Sequence, residues 1–281
     1  GSQRSRASDA PEITVVNFPR RSKTHLGAHR RNRFCVCMAG LRDASYLMLR
    51  HALRMLLRGL TVPLNGAKAF ACRALKRGTR LRGGFVRADA IGPRIRRKVI
   101  DAAGGGIAGA KTLSVLQWNI LADGLSQTGG FQVEDPRYLE WEYRAPLILE
   151  EIADAGADII CLQEMNHWED FFQPKLEAMG YVGVFQAKSN TATQRLGYPP
   201  DGCGVFYKES RFEAVGEPAR EFYREADGSD MPQHNIRVAL RDRQTSRELL
   251  VATTHLKAKG GAANTATRVA QAKQLMAGVA R

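Results

Sequence analysis

The sequence predicts an α/β fold for residues 112–281, preceded by a basic segment at residues 1–111 that is largely disordered. From Leu113 onward, short apolar runs typical of strands alternate with longer runs of helical periodicity. Before that point acidic residues are scarce, whereas Arg and Gly are frequent, so no buried core is expected there. No apolar run reaches the roughly 18 residues of a membrane-spanning helix.

The net charge of +14 is unevenly distributed along the 281 residues. Residues 1–111 contain 24 of the 42 Lys and Arg residues but only 5 of the 28 Asp and Glu residues, so the remainder of the chain is mildly acidic. The overall charge therefore describes the leading segment and not the predicted domain.

One amphipathic helix is predicted in the leading segment, near residues 43–60. Arg50, Arg54 and Arg58 recur at every fourth position, and leucines cover much of the remaining surface. Such a helix can lie on an anionic membrane surface, and its Arg-rich, acid-poor setting is also typical of an organelle transit peptide. A solvated basic arm and a segment that binds nucleic-acid phosphates remain open alternatives. The Gly104–Gly109 stretch is the predicted linker before the domain.

The cysteines bear on the cellular compartment. The chain has five, and their spacing matches neither a disulfide framework nor a zinc site. Cys161 and Cys203 are expected to be core thiols. We therefore expect a reducing compartment, either the cytoplasm or a mitochondrion or plastid, and not secretion.

The elements of the domain are predicted in chain order from periodicity and turn residues. Strands are expected at Leu113–Trp118, Asp158–Leu162, Val182–Phe185, Gly204–Tyr207, Ile236–Leu240 and Leu249–Thr254. Helices are expected at Tyr138–Ala155, Glu169–Met179 and Arg268–Ala280. Pro146 predicts an interruption of the first helix, because proline lacks a backbone donor. The last two strands are expected to form a hairpin.

Polar residues follow three of these strands. Asn119 comes directly after the first strand, Glu164 after the second and His255 after the last. Ligands of α/β sheets gather outside strand ends, so these side chains are candidates for one shared site. Carboxylate and amide oxygens suit Mg²⁺, and an imidazole can donate to a phosphate oxygen. Taken alone, a glutamate at a strand end is more often a cap or a solvated residue, and a lone histidine is usually structural.

Four motifs occur in order along the domain: LQWNILA at 116–122, CLQE at 161–164, PDGCGVFY at 200–207 and TTHLKA at 253–258. Together they resemble the endonuclease/exonuclease/phosphatase superfamily, and within it the deadenylase branch. The resemblance implies a two-sheet sandwich flanked by helices. It also implies hydrolysis of phosphoesters that depends on Mg²⁺, with Mn²⁺ as an alternative.

The resemblance also implies roles for single residues. Glu164 would bind the metal, Asn119 would orient the phosphate and His255 would hydrogen-bond the scissile phosphate. Lys188 and Arg268 would bind substrate phosphates; without the resemblance, each would be interpreted as a solvated surface charge. Two substrates are implied: the 3′ end of RNA, notably poly(A), and the 2′-phosphate of NADP(H). Asp201-Gly202 is interpreted as a tight turn.

Two motifs of the superfamily do not occur in this sequence, namely Gly-Asp-Phe-Asn and Ser-Asp-His. In the family they supply further site residues, including the general-base histidine. We therefore expect the domain to be incomplete at its C-terminus and this chain to be poorly active, since removing a general base costs roughly 10²–10⁴ in rate. The alternative function is a non-catalytic fragment that binds RNA or a protein partner.

Overall fold

The computed structural model describes residues 14–17, 33–39 and 113–280. The strands are β1 Thr14–Asn17, β2 Arg33–Ala39, β3 Ser114–Asn119, β4 Ile159–Met165, β5 Tyr181–Ala187, β6 Gly202–Lys208, β7 Phe212–Ala214, β8 Ala219–Arg224, β9 Asp230–Asp242 and β10 Arg247–His255. The α-helices are α1 Asp123–Thr128, α2 Trp141–Ala155, α3 Gln173–Glu177, α4 Ala192–Arg195 and α5 Ala262–Val279. A 3₁₀ turn at Pro136–Leu139 precedes α2, and a π-helical turn at Trp168–Phe172 leads into α3.

The strands form two sheets. In the first, the order is β1-β3-β4-β6-β5, with β3 and β4 parallel and the other neighbours antiparallel. In the second, the order is β2-β10-β9-β7, and β8 also pairs with the long strand β9. Strand β2 runs parallel to β10, whereas β9 and β10 form the expected hairpin. The predicted α/β class and two-sheet sandwich are therefore confirmed.

The hydrophobic core lies in three layers, because both sheets are covered on both faces. Alternate residues of the strands fill the space between the sheets, among them Val115, Cys161 and Val205 of the first sheet and Val238 and Val251 of the second. Helix α2 and the α3 region cover the outer face of the first sheet, and α5 covers the outer face of the second. Both predicted core thiols are buried and unpaired.

The six predicted strands are all present, and most extend a few residues beyond their predicted ends. The short strands β7 and β8 and the helices α1 and α4 were not predicted from the sequence. The predicted interruption at Pro146 is wrong, since α2 runs through this residue. Proline removes only one helical hydrogen bond there, while Ile148, Leu149 and Ile152 bury the same helix against the sheet. Gly156 ends α2 in a left-handed conformation.

Two short strands of the leading segment join the sheets. Strand β1 pairs with β3 and strand β2 with β10, which the sequence did not predict. The predicted helix at 43–60 and the linker at 104–109 lie outside the described residues, so both stay predictions. None of the helices described within residues 113–280 combines the length and the apolar character of a transmembrane segment.

Candidate functional site

One end of the space between the sheets is polar. Gln117 Nε2 donates to Gln163 Oε1 at 2.8 Å within the first sheet. Gln163 Nε2 in turn donates to Thr253 Oγ1 at 2.9 Å, which connects the two sheets through their buried faces. These side chains continue the inward-facing rows of the apolar core. The residues that follow on β3, β4 and β10 are therefore brought to the same end of the sandwich.

Asn119, Glu164 and His255 meet at this polar end. Asn119 Nδ2 donates to Glu164 Oε1 at 2.9 Å, while Asn119 Oδ1 accepts from the Leu121 backbone N–H at 3.0 Å. His255 Nδ1 lies 3.7 Å from the same Glu164 oxygen. The side chains of Glu164 and His255 are only 15% and 8% exposed. The three strand-end residues therefore form one cluster, as the sequence suggested.

The backbone at Glu164 is unusual. The pairing of β4 with β6 shifts register between Gln163 and Met165, which makes Glu164 the extra residue of a bulge. Glu164 has a φ of 51°, and Leu121 and His167 in the adjoining loops have φ values of 59° and 56°. Bulges re-aim side chains next to functional sites, and left-handed backbone in residues other than glycine concentrates there.

Lys188 lies beside this cluster, paired with Asp201. Lys188 Nζ donates to Asp201 Oδ2 at 2.5 Å, and Thr193 Oγ1 donates to Asp201 Oδ1 at 3.2 Å. Burial lowers the pKa of Lys188, but the Asp201 carboxylate, helped by Glu164, outweighs it and raises that pKa above its usual range. The interpretation of Asp201-Gly202 as a tight turn is wrong, since Gly202 begins β6 and Asp201 directly precedes it. The signal in the sequence was the position of Asp201 in the PDGCGVFY motif, directly before the apolar strand β6.

Two buried imidazoles belong to the same region. Burial, together with the charge of Lys188, lowers the pKa of His255 to about 3, so this ring is neutral at neutral pH. His234 on β9 is 1% exposed, and its pKa is likewise lowered to about 3 by burial and by Lys188. Neither ring nitrogen of His234 has a hydrogen-bond partner in the described residues. Sequence reasoning missed His234, although its alternation with Ile236 and Val238 marks it as inward-facing.

Arg268, the other predicted phosphate ligand, lies in the first half of α5. Its Nη1 donates to the backbone carbonyls of Lys257 and Lys259 at 3.1 and 2.7 Å, and its Nη2 donates to Thr265 Oγ1 at 2.8 Å. These bonds fasten the loop that follows His255. A phosphate contact of Arg268 stays a prediction.

Arg144 of α2 was not predicted as a site residue. Its Nη2 donates to the backbone carbonyls of Ile120, at 2.6 Å, and Leu121. Burial lowers the pKa of Arg144, against the opposing effect of the charges of Asp123 and Glu164. Arg144 thus fixes the loop that follows Asn119.

The side chains at the polar end can hold a magnesium ion through one carboxylate only. No group of three or more His, Cys, Asp or Glu side chains that could hold a metal occurs in the described ranges. Mg²⁺ is commonly bound by one or two carboxylates, with water and substrate phosphates as its other ligands. Glu164 offers one carboxylate, with Oε1 oriented by Asn119. The donor set therefore fits Mg²⁺ held by Glu164 and completed by water and substrate oxygens.

The fold and the cluster at its polar end together define a phosphoesterase-like α/β sandwich. The model of the Endonuclease/Exonuclease/phosphatase family matches residues 116–257, and the chain belongs to this family. Three of the four motifs that carried the sequence resemblance lie within this range, and the fourth, at 253–258, extends one residue beyond it.

Individual relatives point to the deadenylase branch. The chain is 36% identical to nocturnin of Rattus norvegicus over 172 residues, which is 60% of this chain and 40% of that protein. It is 32% identical to the CCR4-Not complex 3′-5′-exoribonuclease subunit Ccr4 of Neurospora crassa over 162 residues, or 51% of this chain and 20% of that protein. The chain thus spans well under half the length of these relatives.

A solved structure supports the same assignment. The human nocturnin catalytic domain with a bound sulfate anion aligns with a TM-score of 0.50 and 34% identity, covering 59% of this chain and 58% of that chain. The predicted resemblance to the superfamily is therefore confirmed, and within the superfamily the chain is similar to nocturnin.

Proposed function

We propose that this protein is a Mg²⁺-dependent hydrolase of nucleotide phosphoesters. One observation carries the proposal: Asn119, Glu164 and His255 converge within hydrogen-bonding or near-contact distance at the polar end of the sandwich. The groups that hold a hard cation and a phosphate are all present here: an amide, a carboxylate, and a neutral imidazole beside a paired lysine.

Each side chain has a defined part in the proposed reaction. Glu164 would hold Mg²⁺, or Mn²⁺ in its place, which when bound neutralises phosphate charge and lowers the pKa of water. Asn119 orients the Glu164 carboxylate through its amide N–H. The neutral His255 ring can donate an N–H to a phosphoryl oxygen as charge develops there. Lys188 supplies a fixed positive charge near the same position.

The relatives support a nucleotide substrate. One of them is named as a 3′-5′-exoribonuclease, and sulfate, which has the shape and charge of a phosphate group, is bound in the nocturnin domain. We propose the 3′ end of RNA, notably poly(A), and the 2′-phosphate of NADP(H) as the two substrates to compare. Each presents a phosphate next to ribose and adenine.

The first experiment measures hydrolysis of oligo(A) and of NADPH by the 281-residue chain, with Mg²⁺ and with EDTA. Turnover is expected to be slow, because the sequence lacks the family's general-base motif. Glu164→Gln should lower the remaining Mg²⁺-dependent rate by roughly 100-fold, whereas the matched variant Glu213→Gln, at a carboxylate in surface ion pairs on β7, should leave it unchanged. Equal activity of Glu164→Gln and wild type would contradict the proposal.

Lys188→Ala separates the two substrates in the same assay. We expect it to impair NADPH hydrolysis more than oligo(A) hydrolysis, because a dinucleotide has fewer other phosphates to hold it. RNA binding without turnover, with a steep dependence on salt concentration, would instead favour the non-catalytic module.

A further inference from the structure

A histidine outside the proposed catalytic cluster is held between two carboxylates. His167 Nδ1 lies 2.7 Å from Asp170 Oδ2, and His167 Nε2 lies 3.4 Å from Asp123 Oδ2. The ring also stacks on Trp141, with centroids 4.2 Å apart and planes within 7°. The side chains of His167 and Asp123 are only about a tenth exposed, whereas that of Asp170 is 61% exposed.

These contacts join three elements at their N-terminal ends. Asp123 is the first residue of α1, Trp141 is the first residue of α2, and His167 directly precedes the π-helical turn at 168–172. His167 also lies three residues after Glu164, in a left-handed conformation. A side chain held in such a backbone conformation needs contacts that over-determine it.

The same two loops are joined at further points. The Asp123 backbone N–H donates to Asn166 Oδ1 at 3.3 Å, and the Ile120 N–H donates to the Gln163 carbonyl at 3.0 Å. Asn119 Nδ2 donates to Glu164 Oε1. These contacts couple the loop after β3 to the loop after β4. A displacement of one loop is therefore transmitted to the other only while the contacts persist. Among these contacts, the Asp123–His167 pair is the most distant in sequence from both Asn119 and Glu164.

We propose that Asp123 and His167 form a latch that positions the loops directly after Asn119 and Glu164, and so sets the affinity of the site for its divalent cation. They are positioning residues and touch neither metal nor substrate. The inference rests on the proposed function, since it takes Glu164 as the metal carboxylate. Groups that hydrogen-bond directly to metal ligands alter metal affinity by roughly 10–100-fold when removed, and these two residues lie one contact further away, so we expect an effect at the lower end of that range.

The test measures the Mg²⁺ dissociation constant of the whole chain by titration calorimetry. His167→Asn tolerates the left-handed backbone but cannot reach Asp123, and Asp123→Asn keeps the size of the side chain without its charge. Each variant should raise the dissociation constant about 10-fold, and the double variant should be no worse than either single one, because the two residues act as a pair. Asp135→Asn, which removes the carboxylate charge of an exposed ion pair with Arg137, is the control and should bind like wild type.

Amide hydrogen exchange provides a second readout that needs no metal. Faster exchange at Leu121 and Asp123 in both latch variants is expected, since their N–H groups bond within the two loops. Wild-type affinity in both variants, or unchanged exchange, would overturn this inference alone. Failure of the wild-type chain to bind Mg²⁺ would overturn the proposed function together with it.

Discussion

Burial determines the chemical state of the histidines at the site. His234 and His255 are enclosed between the sheets near the positive charge of Lys188, and the pKa of each is lowered to about 3. A neutral imidazole can donate through one nitrogen and accept through the other. The site therefore presents hydrogen-bonding rings without adding positive charge to that of Lys188.

The low pKa of His234 predicts a specific loss of stability in acid. The unfolded state takes up a proton near pH 6.5, whereas the folded state does so only near pH 3, so the free energy of unfolding falls as the pH drops through this interval. Between pH 6.5 and 4.5 this amounts to about 2 kcal/mol per histidine. His234→Leu should lose correspondingly less stability than wild type over this range, measured by urea unfolding at each pH. Parallel losses in both proteins would contradict the prediction.

At this scale the sequence predicted the cluster but not its geometry. Asn119, Glu164 and His255 were recognisable because each follows an apolar strand. The pairing of Lys188 with Asp201 was not, because it joins residues across a loop whose path depends on tertiary packing. The left-handed backbone of Glu164 arises from a bulge, and because β4 is buried on both faces its sequence has no apolar/polar alternation that the bulge could visibly interrupt.

Among the elements, β6 is packed closely on its neighbour β5. A Cβ placed on Gly202 would lie 2.0 Å from the Gln186 carbonyl oxygen and 2.8 Å from the Ala187 Cα, both of which are backbone atoms of β5. Backbone cannot move aside as a flexible side chain can. Gly202 therefore permits the close approach that places Asp201 next to Lys188.

Gly202→Ala should consequently destabilise the protein. We expect a loss of about 2 kcal/mol, since the added methyl group must push two paired strands apart. Gly260→Ala is the matched control, because a Cβ there meets no atom within 4 Å. Thermal and urea unfolding of the two variants measure the difference in stability. Equal stabilities would show that β5 can shift without a loss of unfolding free energy.

The regular elements were easier to predict than the short ones. Strands such as β4 and β10 have continuous apolar runs, and α2 has a clear buried face. Strands β7 and β8 contain three and six residues with several polar side chains, and they exist because β9 is long enough to pair with both. That pairing is tertiary information. The same is true of α2, which passes through Pro146 because packing of its buried face compensates for one lost hydrogen bond.

For the molecule as a whole, a network of four charged residues, Asp158, Lys208, Arg211 and Asp242, closes the end of the sandwich opposite the candidate site. Arg211 donates to Asp158, at the start of the first sheet's β4, and lies 3.4 Å from Asp242, at the end of the second sheet's β9. Asp158 also accepts from the Ser114 backbone and hydroxyl at 2.9 Å. The two sheets are thus joined by charge at one end and by Gln163 and Thr253 at the other.

Removal of Arg211 should destabilise the entire domain. Arg211→Met removes the ion pair of Asp242 with Arg211 and leaves Asp158 with Lys208, at 3.6 Å, as its cationic partner, which costs about 3 kcal/mol. Arg241→Met, at an exposed pair with Glu213 and Glu248, should cost less than about 1 kcal/mol. Unfolding by urea at neutral pH measures both. A similar small loss in the two variants would mean that the apolar core alone holds the sheets together.

The backbone at Glu164 has a consequence for how this molecule can change over evolutionary time. A left-handed φ favours Gly, Asn or Asp over Glu. The backbone at this position is therefore better suited to mutations that remove the long carboxylate. Such mutations would gain stability while losing the group that the proposed chemistry requires. Lineages that depend on that chemistry must resist this drift. In lineages released from it, this position should be among the first to diverge.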